Sequence, residues 1–404
     1  MIDFEPSEEQ ALMVTSVTQL AAKLRARARD TERDHRVPDD LVTAAREMGL
    51  ATALAVAEDA GGAGLGLVTA VLLDEAIANG DAGAAFALGG PGALATAVSE
   101  LGSPAQSKAV LERLASSGGS GAVAWSEPRP NKARAGLTTR AVREGSEWVL
   151  TGEKAFVFGA ASAELLVVFA QIDEELGYRG LGAFVVERAA KGVTVGPRLA
   201  TLGLDAASAH AVSLDAVRVN DEARLERGGD LDAQLRFFVK EGLRVAARAV
   251  GLTQSAADVA LEYASTRKAF GKPIGHFQAI AFTLADRAMD ADAARALVLR
   301  AAWLWEAART KPKLERDALK ESAWAISWAA EAAMRAGDDA VQLHGGSGFI
   351  RDYPVEKMMR DAKTIGLCMM TAEHADQLAA AIELGRALDP ALVLPTPETQ
   401  SVFT

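Results

Sequence analysis

From residue 231 to about residue 388 the chain is written almost wholly in helix-forming residues. Only three short stretches interrupt it: Gly271–Gly275, Pro312 and the HGGSG run at 344–348. Four segments remain, 231–267, 277–309, 313–343 and 354–388. Apolar and small residues return in them at helical spacing, as at Ala246, Ala249, Val250, Thr253 and Ala257. A helix of ~30 residues with one apolar stripe cannot bury that stripe alone. Four of them joined by short connections bury it against one another, as an antiparallel bundle.

The rest of the chain divides in two. Residues 7–117 read mostly as helices, with Ser7 ahead of two acidic residues as a start signal and Pro38 at a second helix entry. The SSGGSG run at 116–121 marks a boundary, after which the period changes. WVLTGEKAFVFG, ELLVVFAQI, GLGAFVVER, GVTVGPRLATL and HAVSLDAVRVN are short and rich in β-branched residues, and EGSE at 144–147 has the composition of a hairpin tip. At 404 residues the chain exceeds the size of one core. The expectation is an α+β protein with a helical domain at 1–118, a small β domain at 119–229 and a four-helix bundle at 230–404.

The formal charge of −11, with no Lys/Arg-rich block, argues against nucleic acid or an anionic membrane as partner. An anionic ligand needs locally placed cations. Cys368 is the single cysteine, so no intramolecular disulfide or thiolate metal cluster can form, and a reducing compartment is expected. The acidic start MIDFEPSEEQ lacks the features of a signal peptide, and no apolar run reaches ~18 residues. A cytoplasmic protein without a membrane span is the expectation. GGAGLG at 61–66 has the wrong spacing for a dinucleotide turn, HGGSG is not a nucleophile elbow, and the five histidines show no metal-ligand spacing. No metal site is proposed.

Chemistry concentrates in RKAFGKPIGHFQ at 267–278. It places a forked cation (Arg267), a planar ring (Phe270), a Gly-Lys-Pro turn and a bidentate amide (Gln278) within twelve positions. A ligand with a pyrophosphate and flat rings needs that mixture, although a polar loop between helices has it too. The pair Gly345-Gly346 after Gln342 suits close backbone approach to a phosphate or amide, and equally suits a helix C-cap.

RKAFGKPIGHFQ closely resembles the R-x-x-F-G-x-P-I-x-x-F-Q segment of the acyl-CoA dehydrogenase family. QLHGGSGF followed by YPVEKMMRDAK (353–363) resembles that family's glycine segment and the run after it, and AEDAGGAGLGLVTAVLLDEAIANGD (57–81) extends the match over nearly the whole chain. The resemblance implies FAD as cofactor, an acyl-CoA thioester as substrate and an electron-transferring flavoprotein as acceptor. It also implies a homo- or hetero-oligomer, usually a tetramer, in which the glycine segment meets a neighbouring subunit's FAD. Arg267, Phe270, Gln278, Gln342, Gly345 and Gly346 are the matching positions, and Arg360 and Asp361 are expected as structural ion-pair residues.

In the middle domain AWSEP (124–128) resembles the family's T-E-P segment, which makes Trp125 and Ser126 flavin-contact candidates. Lys132 falls where a serine is usual, and is carried as a substrate contact. Phe156-Val157-Phe158 falls where the family has W-I-T, so Phe158 cannot give the hydrogen bond that the threonine donates to the flavin.

The family's base is a carboxylate that removes the proton α to the thioester. Counting from Asp361 places Met369 at its commonest position, and a thioether cannot take a proton. Thr371 still matches the threonine just beyond, and Met369 keeps the backbone N–H that assists thioester binding. Isovaleryl- and long-chain-type members take the base from the first bundle helix, and alignment on Gly251-Leu252 and Gln254 puts Glu241 there. Periodicity alone makes Glu241 an ordinary helix carboxylate paired with Arg244 at i+3. The alternative-type enzymes usually have Arg next, where this chain has Gly242, so Lys240 or Arg244 is expected to serve CoA. The expected activity is α,β-dehydrogenation of an acyl-CoA to its trans-2-enoyl form. Two rivals stand beside it: a catalytically degenerate partner subunit of a mixed oligomer, and a flavin oxidase or monooxygenase of the same fold.

Overall fold

The computed structural model describes residues 5–88, 90–128 and 136–388. Lys132 therefore lies outside the described residues. The N-terminal part holds α1 (Glu8–Ala26), α2 (Ala28–Asp34), α3 (Asp39–Glu47), α4 (Gly66–Gly80), α5 (Ala82–Ala87), α6 (Ala93–Leu101) and α7 (Pro104–Ser117). Ser7 accepts from Gln10 N at 3.2 Å while the Gln10 side chain accepts from Ser7 N at 3.0 Å, a reciprocal cap that satisfies two otherwise orphan donors. Ser103 and Gln106 repeat this device on α7. Gln106 then donates to the carbonyls of Glu222 and Arg224, which fastens α7 to the far end of the β domain.

The β domain contains β1 (Ser120–Ala124), β2 (Arg140–Glu144), β3 (Glu147–Phe158), β4 (Ala163–Gln171), β5 (Leu181–Glu187), β6 (Val193–Arg198) and β7 (Ala209–Asn220). The order is β1-β4-β2-β3-β7-β6, with β5 on the other edge of β4. The hairpin tip falls at Gly145, whose φ of 65° closes the Glu144–Glu147 pair. Strands β1 and β2 are additional to the five expected stretches. β1 reads Ser-Gly-Ala-Val-Ala, which carries little β-branched signal, and its pairing is set from a distance by β4, with Ala122 opposite Leu166. Alternation along β4 joins two cores. Leu165, Val167 and Phe169 face the helices, with Phe169 packed 5.7 Å from the rings of both Phe237 and Phe238. Leu166, Val168 and Ala170 face the domain's own interior with Trp148 and Phe184.

The C-terminal part begins with α8 (Leu231–Thr266), α9 (Gln278–Ala308) and α10 (Glu315–His344). The expected fourth segment is two helices, α11 (Val355–Ile365) and α12 (Ala372–Glu383). Between them Met369 adopts φ 59°, which no continuing helix permits, and Thr371 starts α12 as its N-cap. Between α8 and α9 a small hairpin pairs β8 (Lys268–Ala269) with β9 (Lys272–Pro273), and Phe270 and Gly271 both have positive φ at its turn.

Helices α4 and α8 cross so closely that a Cβ on Gly251 would lie 2.2 Å from the Glu75 carbonyl oxygen. Buried ion pairs lock the three parts together. Lys357 Nζ lies 2.7 Å from Asp361 and 3.0 Å from Asp81, and Asp361 accepts from Leu204 N at 2.7 Å. Arg360 bonds both Glu356 and Glu32, so Arg360 and Asp361 are ion-pair residues in the structure. Among the described residues no helix is long and apolar enough to cross a membrane.

Candidate active site

A cavity of about 1090 Å3 lies where the three parts meet. The Glu241 side chain enters it from the middle of α8 and is only 2% exposed. Its Oε2 accepts from Thr96 Oγ1 at 2.9 Å and lies 3.8 Å from Arg244 Nη1. Oε1 has no hydrogen bond to any described residue, so one oxygen anchors the carboxylate and the other is left for a ligand. Behind it stands Asp74 of α4, which holds Arg244 at 2.8 Å and Arg248 at 3.0 Å. Burial alone acts to lower the basicity of Arg244, but Asp74 and Glu241 outweigh it and keep the guanidinium charged. Arg248 also lies over the Phe86 ring, 4.5 Å from its centroid.

Another part of the wall comes from the β domain. Trp125, Ser126, Phe156 and Phe158 all line the cavity. Trp125 packs edge-on to Phe238 at 5.3 Å, and Phe158 lies 6.1 Å from Phe86. The extended segment carrying Trp125 and Ser126 is tied down from two sides. Ala155 N donates to the Ser126 carbonyl at 2.9 Å, and the buried Lys154 ammonium reaches the Trp125 carbonyl at 3.3 Å. Lys154 also pairs with Glu127 at 2.8 Å. Burial pulls Lys154 down to about 8, against the opposing effect of Glu127.

The wall is completed by the turn between α11 and α12, where Cys368 and Met369 meet the cavity. The left-handed backbone of Met369 leaves its N–H without a backbone acceptor among the described residues. Burial pushes the Cys368 thiol up to about 12, so it is an inert wall residue.

Three expected contacts are placed elsewhere. Lys240 does not line the cavity: its ammonium bonds Glu100 at 2.7 Å and stacks 4.6 Å from the Trp305 ring centroid. Gly242 faces the bundle interior, where an added Cβ would come within 2.8 Å of Ile326. Thr371 caps α12 rather than lining the cavity. Conversely, Thr96, Asp74 and Arg248 belong to the site without having been expected there, Asp74 although it lies within the 57–81 stretch. Thr96 meets Glu241 across 145 positions of chain, so no local pattern could have found it.

A second group of expected residues lies together on the exposed surface. Arg267, Gln278, Gln342, Gly345 and Gly346 are exposed, and Phe270 is 97% exposed. Arg267 has no ion pair among the described residues, although its backbone is fixed by Ile274 N donating to its carbonyl at 2.8 Å. The glycine segment follows a ring cluster in which His344 stacks 4.0 Å from Tyr263 and meets Tyr353 edge-on at 5.3 Å.

Residues 7–118, 122–217 and 231–368 match, in order, the models of the acyl-CoA dehydrogenase N-terminal, middle and C-terminal domains. A protein of Mycobacterium leprae (strain TN) named probable acyl-CoA dehydrogenase fadE25 is 33% identical over 364 residues, 89% of this chain and 90% of that protein. The chain belongs to the acyl-CoA dehydrogenase family. Among solved structures, butyryl-CoA dehydrogenase from Megasphaera elsdenii is 28% identical with a TM-score of 0.85, covering 95% of this chain and 100% of its own. A glutaryl-coenzyme A dehydrogenase in complex with glutaryl-CoA is 29% identical with the same TM-score of 0.85, covering 96% and 98%.

Acyl-CoA dehydrogenases are flavoprotein oxidoreductases, and the donor set of this member fits a flavin. The cavity volume of about 1090 Å3 lies at the top of the ~300–1,000 Å3 usual for ligand pockets, which is enough for a flat ring system. Trp125 and Phe158 offer apolar walls, and Ser126 offers a hydroxyl. Phe158 brings no donor to its side of the cavity, so any flavin edge facing it makes an apolar contact.

Proposed function

We propose that this acyl-CoA dehydrogenase binds FAD in the cavity and oxidises an acyl-CoA thioester to its trans-2-enoyl form, with Glu241 as the base. The observation that carries this is the Glu241 carboxylate, buried in the cavity wall with one oxygen anchored and one open, while Met369 occupies the family's commoner base position. Glu241 Oε1 takes the proton from the carbon α to the thioester. The Met369 N–H is the candidate donor to the thioester oxygen, which acidifies that α C–H. FAD, when bound, would supply the acceptor for the hydride that leaves the β carbon. Arg244 stands 3.8 Å from the Glu241 carboxylate, and Asp74 holds Arg244 in place. Glu241 is buried, so the carboxylate acts desolvated.

The exposed set around Arg267, Phe270, Gln278 and Gly345-Gly346 is proposed to complete a flavin site with a second subunit, in a tetramer of like or related chains. Electrons are proposed to leave to an electron-transferring flavoprotein, in the cytoplasm. The test is an anaerobic visible spectrum of the chain with FAD during titration with butyryl-, octanoyl-, isovaleryl- and glutaryl-CoA. Bleaching of the flavin band by any of them is expected, and Glu241→Gln should abolish it. Bleaching that survives Glu241→Gln assigns the base elsewhere. A chain that retains no FAD unless a homologous partner is present supports the partner-subunit role instead.

A further inference from the structure

We infer that Thr96 is a positioning residue for the base: its hydroxyl holds one oxygen of Glu241 so that the other faces the substrate. This rests on Glu241 being the base. Thr96 lies in α6, whose start is set by Gly92 at φ 51°, and α6 packs against α8. In helices the usual partner of a threonine hydroxyl is the carbonyl four residues back. Thr15, Thr18, Thr253, Thr283 and Thr364 all bond in that way here. Thr96 does not. Its Oγ1 turns away from its own helix and donates to Glu241 Oε2 at 2.9 Å.

The geometry at Glu241 explains why this matters. A carboxylate at the end of two methylenes has several rotamers, and only one presents an oxygen to a substrate carbon. Arg244, at 3.8 Å, supplies charge beyond hydrogen-bond range, so it fixes the orientation loosely. Its own fork is committed to Asp74, at 2.8 and 3.3 Å. Thr96 is therefore the one described residue in hydrogen-bond contact with the Glu241 carboxylate. A hydrogen bond to Oε2 also leaves the proton-accepting lone pairs of Oε1 free.

The test compares Thr96→Val, which keeps shape and removes the donor, with Thr96→Ser, which restores it. Steady-state kinetics use whichever of butyryl-, octanoyl-, isovaleryl- and glutaryl-CoA the parent oxidises. Deuterium uptake at the α carbon of that thioester, read by mass spectrometry without oxygen, follows proton removal apart from net oxidation. Thr96→Val should lower kcat and α-exchange together by roughly ten- to a hundredfold, the scale of one charge-assisted hydrogen bond. KM and FAD content should stay within about twofold, because uniform binding is untouched. Thr96→Ser should recover most of the loss. Equal losses in both variants, or a rise in KM alone, would mean that Thr96 only packs and overturn the proposal. Normal turnover in Thr96→Val with none in Glu241→Gln sinks the role of Thr96 while leaving the base intact. Normal turnover in Glu241→Gln, or no oxidation of any thioester by the parent, removes the base and this proposal with it.

Discussion

Replacing Lys154 by methionine tests how the β domain holds its side of the cavity. The Lys154 side chain is fully buried and Glu127 is 3% exposed, so the pair at 2.8 Å has no solvent to fall back on. Losing one member of a buried pair typically costs ~3–5 kcal/mol, because the other charge is left uncompensated. Here Glu127 keeps three other donors: Thr138 N and Oγ1, each at 2.6 Å, and Thr139 N at 2.9 Å. The loss should therefore sit at the low end, about 3 kcal/mol, which is roughly a hundredfold in a local opening constant. Hydrogen exchange of the β3 and β4 amides at pH 7 reads that constant domain by domain. Pairing Lys154→Met with Glu127→Gln should recover most of the loss, since both buried charges are then gone. The parent also carries a pH signature. Burial sets Lys154 at about 8 in the folded protein, against ~10.4 in the unfolded chain, so the unfolded state holds the extra proton between those values. Stability of the β domain from this group is complete above the unfolded value, rises with pH through the window and is lost as pH falls through about 8. Lys154→Met should lack that slope. A single variant that loses less than ~1 kcal/mol, or a double variant worse than the single, would refute the argument.

Gly251→Ala drives a Cβ to 2.2 Å from the Glu75 backbone and should separate α4 from α8, lowering stability by ~3 kcal/mol or more in chemical denaturation. It should also weaken turnover, since Asp74 on α4 holds Arg244 on α8; full activity with unchanged stability contradicts the crossing as described. Cys368 should not react with a thiol reagent in the native chain at pH 8, because burial holds the thiol up at about 12, and should titrate as one thiol per chain in denaturant. Rapid native labelling would place it at the surface.

The helix–β–helix order was legible because it is written in local signals. Serine caps, glycine stops and a switch from the helical period to alternation need only near neighbours, and the EGSE hairpin and the long α8 follow from them. Less was legible where a weak segment takes its form from a distant partner. β1 is a strand because β4 lies beside it, and the last helical segment breaks at Met369, whose backbone is left-handed where the turn lines the cavity. Lys240 shows the limit for charged residues. From the sequence it is one position from Glu241 and suited to CoA, yet Glu100 and Trp305 lie nearer in space and take it.

The sequence by itself determined the element types, the three-part division and the family, and through the missing carboxylate at Met369 it directed attention to Glu241. Tertiary structure alone decided what surrounds Glu241. Thr96 reaches it from α6, while Asp74 of α4 stands behind it through Arg244 and also holds Arg248, in directions fixed by how α4, α6 and α8 cross. Periodicity records which face of a helix is apolar. It carries no record of which polar atom on a second helix will lie opposite, because that depends on crossing angles and close approaches such as the one at Gly251.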